Sequence, residues 1–290
     1  MVAISLRGAA ARMFRAIDPV VLLEGPTGTG KSAPACLKVH TIAMQHRVRI
    51  VMARQTRESL TDSTMFVLEQ SVLAHDPIGH LIIGNSGRSN RDRYAYPNGS
   101  EIVCVGFDKP GKLLSADYDL ALVDQAEQVN VSAIEHLLTR LRNNSGFDDK
   151  QLILVANPDS PAHWLLRWEE QGKLVRHRSV IQDNPLFWDS ARGCFTRDGE
   201  AYMEKQSRLS GMNYRRYVLG EWCAAEGLIF AYDPSRHLID AKLVRQDNRW
   251  NVQYAEGRTV ALEWFACGVD WGDAKPGAIV VMGFDRDNRG

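Results

Sequence analysis

Residues 25 to 32 read Gly-Pro-Thr-Gly-Thr-Gly-Lys-Ser, the spacing G-x-x-x-x-G-K-[ST] at which a chain wraps around phosphate groups. Each residue type has a task there. Gly25, Gly28 and Gly30 let the backbone turn successive N–H groups toward one point, and with Pro26, Thr27 and Thr29 they form a cradle for anionic oxygens. The helix expected from Lys31 to about Gln45 adds its positive end, and Pro34 is tolerated because it falls in the first helical turn. Lys31 is expected to reach the β- and γ-phosphates, and the Ser32 hydroxyl to hold Mg2+. The motif implies a nucleoside triphosphate site. No N-K-x-D base-reading motif occurs in the chain, so the reading is ATP with Mg2+ rather than GTP.

Triphosphate hydrolysis needs more than a cradle. Asp124 ends the apolar run Leu120-Ala121-Leu122-Val123, where a nucleotide hydrolase places a carboxylate to hold Mg2+; a helix N-cap is the alternative role, and one residue can serve both. A water-activating group is also required. Gln125 stands directly after Asp124, where many motor ATPases carry glutamate, and the nearest carboxylate is Glu127, about one helical turn on. Glu127 is read as the catalytic base, with Gln125 as a second candidate for positioning water. Asn157, in Ala156-Asn157-Pro158 after the run Leu152-Ile153-Leu154-Val155, is a candidate sensor of the γ-phosphate; a turn is its bland reading. Arg140 and Arg142, placed on the helix after Asp124, are candidates for stabilising phosphate charge or for a finger directed at a neighbouring subunit, with a solvated helix face as the alternative, and Arg54 and Arg57 after an earlier strand are candidates of the same kind. The basic run Arg88, Arg91 and Arg93 is a candidate DNA surface or a solvated loop.

These residues need a scaffold. Val20 to Leu23, Arg49 to Ala53, Leu120 to Val123 and Leu152 to Val155 read as buried strands, and amphipathic stretches between them, including one through Met65 to Leu73, read as helices. Strand–helix alternation predicts a parallel sheet with ligands at its carboxyl edge. Between Arg93 and Val105, Asn98-Gly99 separates two alternating runs and predicts an inserted hairpin. The fold class is therefore α/β, a P-loop, RecA-like parallel-sheet domain over residues 1–225. A looser, mixed stretch, 226–263, reads as a linker, and a new strand-like run opens a further domain over 264–290.

Composition sets the bounds. The chain has 290 residues, 44% of them hydrophobic, enough for a real core. Lys plus Arg and Asp plus Glu both total 35, so any nucleic-acid surface must be local. The five cysteines are odd in number and never in a C-x-x-C pair, which favours a reducing compartment over a disulfide framework. No apolar run is long enough to span a membrane, so a soluble, unsecreted protein is expected.

Several stretches together resemble the large subunit of tailed-bacteriophage terminases. They are Gly25 to Ser32, Arg54-Gln55-Thr56, Tyr96 to Ile102, Gly106 to Pro110, Leu122 to Gln128, Ala156 to Pro158 with His163-Trp164, Asp183-Asn184-Pro185, Leu219 to Trp222 and Glu226 to Phe230. The resemblance implies an ATP-hydrolysing motor that translocates double-stranded DNA into a procapsid. It also implies a ring of identical subunits on a portal protein, a small terminase subunit as partner, no membrane, and the cytoplasm of a bacterial host. It implies a following ribonuclease-H-like nuclease using Mg2+ or Mn2+, whose first metal ligand corresponds to Asp270 in Gly268-Val269-Asp270-Trp271-Gly272. One carboxylate cannot build a two-metal site, so the remaining ligands are expected beyond residue 290, and no DNA cleavage from this chain alone. Gln125 departs from the glutamate of many relatives. The rival readings are another RecA-like translocase or helicase, and a nucleotide-binding scaffold with weak hydrolysis.

Overall fold

The apolar runs become the middle of one seven-stranded sheet. In the computed structural model, which describes residues 6–224, 240–246, 248–270 and 278–287, its strands are β1 (Val20–Glu24), β2 (Arg49–Arg54), β3 (Arg93–Ala95), β4 (Glu101–Gly106), β5 (Leu120–Asp124), β6 (Gln151–Ala156) and β7 (Val175–Arg178). They lie in the order β3-β4-β2-β5-β6-β1-β7. Every neighbouring pair is parallel except β3 with β4, the hairpin expected from Asn98-Gly99.

The central strands are apolar at nearly every residue because both faces are covered. Val21, Leu23, Ile50, Met52, Leu120, Leu122, Ile153 and Val155 pack against Ala9 and Met13 of helix α1 (Gly8–Arg15) and against Ala35, Cys36 and Val39 of helix α2 (Ser32–Gln45). The alternate residues Leu22, Val51, Ala53, Ala121, Val123, Leu152 and Leu154 meet Ile134 and Leu137 of the helix Val131–Leu138, and Trp164, Leu165 and Trp168 of the helix Trp164–Glu170. Burying each such aliphatic side chain contributes about 2 kcal/mol. The core therefore fixes strand register, and register fixes the site. Glu24 is paired with Ala156, Asp124 with Val155 and Ala53 with Val123, so the carboxyl ends of β1, β6, β5 and β2 share one edge.

Two local expectations change. The stretch Met65 to Leu73 is not one regular helix: a helical turn at Thr64–Val67 widens into a π-type turn at Leu68–Val72 and tightens at Leu73–His75. The widening falls where the buried Glu69 meets Arg88, Arg91 and the Tyr94 hydroxyl. Arg91 and Arg88 are thereby neutralised, and Arg93 pairs with Glu101 at 2.9 Å, so this basic run carries its own counter-charge. Arg140 and Arg142 also do not lie on the helix after Asp124, which ends at Leu138. They pair with Asp117, just before β5, at the sheet edge opposite the phosphate loop.

The chain divides into two units, residues 1–227 and 228–290. In the second, the stretch read as a linker contains a three-stranded antiparallel sheet of Ala241–Gln246, Arg249–Tyr254 and Thr259–Ala261. Trp264–Asp270 pairs antiparallel with Ala278–Phe284 as a hairpin. The side chain of Asp270, and residues 271–277, lie outside the described residues. Among the described residues no helix is long and apolar enough to cross a membrane.

Candidate nucleotide site

Residues 25 to 32 connect β1 to α2 across the carboxyl edge of the sheet, and the loop is held from beneath and from outside. Beneath it, the fully buried Glu24 accepts from Arg176 Nε at 3.0 Å and from Trp222 Nε1 at 3.3 Å, which ties the end of β1 to β7 and to the late stretch Leu219 to Trp222. Outside it, Asn184 Nδ2 donates to Gly28 O at 2.7 Å. The Thr27 hydroxyl donates to Tyr217 O at 3.0 Å and accepts from the Tyr202 hydroxyl at 2.9 Å. Gly28 has a φ of +80°, and a Cβ there would sit 2.5 Å from the Tyr202 ring, so both conformation and space require glycine.

Lys31 is buried beneath this loop. Its ammonium donates to Gly25 O at 2.8 Å, Pro26 O at 2.7 Å and Asn157 Oδ1 at 3.1 Å. Burial lowers its pKa to about 8, against the opposing pull of Glu127, Asp124 and Glu24. The relay continues, because Asn157 Nδ2 donates to Glu127 Oε1 at 3.0 Å. The other Glu127 oxygen is buried without a hydrogen-bond partner among the described residues. Burial raises the Glu127 pKa to about 7, and hydrogen bonds from its own backbone and from Asn157 only partly offset that. His163 fixes the backbone here, its Nε2 lying 3.1 Å from Glu127 O.

Asp124 ends β5 beside the loop. Its Oδ1 accepts from Ser32 Oγ at 3.3 Å and its Oδ2 from Thr64 Oγ1 at 2.6 Å. Gln125 follows in a left-handed conformation with φ +53°, turning the chain into a short 3-10 turn, Ala126–Gln128, that carries Glu127. A cavity of about 880 Å³ opens on Thr27 to Pro34, Arg54, Asp124, Gln125 and Asn157, and a smaller one of about 370 Å³ on Thr27, Gln125, Glu127 and Asn157.

Every phosphate-loop candidate, with Asp124, Gln125, Glu127 and Asn157, is thus brought to one edge. Arg54 lines the larger cavity, while Arg57 donates to Thr61 Oγ1 and Arg91 O instead. Asn184, Tyr202, Tyr217, Glu24 and Thr64 were not anticipated. Asn184 and Trp222 lay in late stretches already noted for their resemblance; Tyr202, Tyr217 and Thr64 carry no local motif. Serine hydroxyl and aspartate carboxylate converging 3.3 Å apart are the hard oxygen donors that Mg2+ takes, so the residues present fit that ion.

A mostly parallel sheet with a phosphate loop between its first strand and the next helix, and an aspartate at the end of β5, one strand removed from β1, defines a P-loop, RecA-like fold. A sequence model described as phage terminase large subunit matches residues 19–221, and the chain belongs to that family. Among solved structures, the large terminase of a thermophilic bacteriophage is similar at 15% identity and a TM-score of 0.58, over 98% of this chain and 66% of that one. Other crystals of that protein hold ADP or ATP-γ-S. The ATPase domain of the Thermus phage P74-26 large terminase is similar at 14% identity and a TM-score of 0.51, over 75% of this chain and 94% of that domain. The large terminase of bacteriophage HK97 is similar at 16% identity and a TM-score of 0.52, over 96% of this chain and 59% of that one. At such identities the likeness establishes the fold. The chain spans just under two thirds of the first of these relatives. No curated protein sequence matches it.

Proposed function

We propose that this chain is the ATP-hydrolysing motor subunit of a phage terminase, driving double-stranded DNA into a procapsid. The observation that carries the hydrolytic reading is the Lys31–Asn157–Glu127 relay, which joins a phosphate-seeking cation to a buried carboxylate with one unpartnered oxygen. Residues 25 to 32 would cradle ATP, and Ser32 and Asp124 would hold the Mg2+ that offsets phosphate charge. Thr64 orients Asp124 through its hydroxyl. Glu127 takes a proton from the attacking water. A phosphate that draws Lys31 toward itself loosens its bond to Asn157, so Asn157 reports nucleotide occupancy to the base. Gln125, lining both cavities, is the second candidate for holding that water.

The remaining assignments rest on family membership and resemblance. They are double-stranded DNA, a portal protein and a small terminase subunit as partners, a homo-oligomeric ring, action in the bacterial host cytoplasm, and the division into an ATPase domain (1–225), a linker (226–263) and the start of a nuclease (264–290). Asp270 is proposed as one ligand of a nuclease site for Mg2+ or Mn2+ in a longer chain.

Steady-state ATP turnover with and without duplex DNA tests the motor. Lys31→Ala should abolish turnover. Glu127→Gln should lower it by about a hundredfold or more while ATP binding persists. Wild-type turnover no faster than Lys31→Ala, with tight ATP binding, would select the scaffold reading.

A further inference from the structure

Arg54 is the last residue of β2, beside the strand that ends in Asp124. It is 9% exposed and lines the nucleotide cavity together with the phosphate loop. Among the described residues all its side-chain hydrogen bonds run through Nη1, to Ser59 O at 3.0 Å and to Ser63 Oγ. Among the described residues its Nε is buried without a partner, and no carboxylate forms an ion pair with it. Other shielded arginines differ: Arg91 pairs with Glu69, and Arg176 with both Glu24 and Glu169. A guanidinium withdrawn from water without a counter-charge is costly, and an anion is what would relieve it.

We propose that Arg54 binds the terminal phosphoryl group of a nucleoside triphosphate, offering it the Nε–Nη2 edge of the guanidinium while Nη1 stays anchored to the Ser59–Ser63 turn. The proposal rests on the ATP-binding reading above and deepens it. A planar guanidinium edge matches two phosphoryl oxygens in a way that an ammonium does not. Position selects the terminal group: Arg54 ends β2 beside β5, whose Asp124 carboxylate meets Ser32 at the Mg2+ end of the phosphate loop, and Arg54, Asp124 and Ser32 line one cavity. The same arginine touches the residue that precedes Thr64, and Thr64 donates to Asp124. Occupancy of Arg54 is thus linked to the orientation of the Mg2+-binding carboxylate.

The test is the affinity of the 290-residue chain for ATP-γ-S and for ADP, measured by calorimetry in wild type, Arg54→Ala, Arg54→Lys and Lys31→Ala. Arg54→Ala should weaken ATP-γ-S about tenfold or more and ADP less than about threefold. Equal losses for both nucleotides, or none, overturn the proposal. If the alanine variant does not fold, Arg54→Lys decides: it keeps the charge without the planar edge, and its preference for ATP-γ-S over ADP should still fall about threefold or more. Millimolar inorganic phosphate that tightens ADP binding in wild type but not in the Arg54 variants would assign the residue to released phosphate and overturn the terminal-group assignment. Wild type that binds neither nucleotide sinks the ATP reading itself. Binding that needs Lys31 but keeps its nucleotide preference in both Arg54 variants sinks this proposal alone.

Discussion

Two buried aspartates bracket the same strand and do opposite things. Asp119, immediately before β5, accepts from Lys150 at 2.5 Å, Ser145 at 2.6 Å, Asn143 at 2.7 Å and the Arg49 N–H at 2.7 Å. Burial alone would raise its pKa, yet these donors outweigh burial and hold it below the ordinary carboxylate range. Asp124, at the other end, accepts side-chain hydrogen bonds among the described residues from two hydroxyls, those of Ser32 and Thr64. A saturated carboxylate stitches loops to a sheet. A carboxylate held by neutral hydroxyls keeps lone pairs and charge for a cation. The saturation of its donors, more than its burial, separates the structural Asp119 from Asp124, the proposed Mg2+ ligand.

The contrast can be broken by exchanging which end is damaged. Asp124→Asn should lower ATP turnover by about a hundredfold to a thousandfold, a loss on the scale of removing one transition-state stabiliser, while changing unfolding free energy by less than about 1 kcal/mol. Comparable losses of stability and turnover in urea titration and kinetic assay would erase the distinction. Asp119→Asn should do the reverse, costing about 2 kcal/mol of stability because an amide cannot receive all four donors, with kcat within about twofold of wild type in the folded fraction.

A smaller effect sharpens the picture at Glu127. In its proposed role as base it would act ionised, and burial holds its pKa up near 7. Below that pH the acid form predominates, so kcat should fall about tenfold per pH unit, about 1.4 kcal/mol each, and level off above it. The residual rate of Glu127→Gln should lose this dependence; a variant that keeps the same inflection would move the base elsewhere, with Gln125-held water the first alternative.

Much of this was legible in the chain. β1, β2, β5 and β6 announce themselves because strands covered on both faces are apolar throughout, and Asn98-Gly99 marks its hairpin because few residues accept that turn. The phosphate loop, Asp124 and Asn157 follow from strand ends. β7 was hidden: its Val-Arg-His-Arg sequence belongs to a half-exposed edge strand and carries no apolar run. The contacts of Tyr202, Tyr217 and Thr64 were hidden because they join residues distant in sequence without any periodic signal. Arg140 and Arg142 were misplaced because apolar periodicity continues to Leu141 after the helix itself has stopped at Leu138.

The grip of Asn184, Tyr202 and Tyr217 on residues 27 and 28 has a consequence for modularity. A phosphate loop is usually thought of as a cassette that travels with its strand and helix. Here its shape is completed by side chains and a carbonyl encoded more than 150 residues later, with Gly220 pressed so closely on Pro26 that an added Cβ would lie 2.7 Å from the ring. The motif is therefore not portable: grafted into another sheet, or severed from residues 180–222, it would keep its sequence and lose its mould.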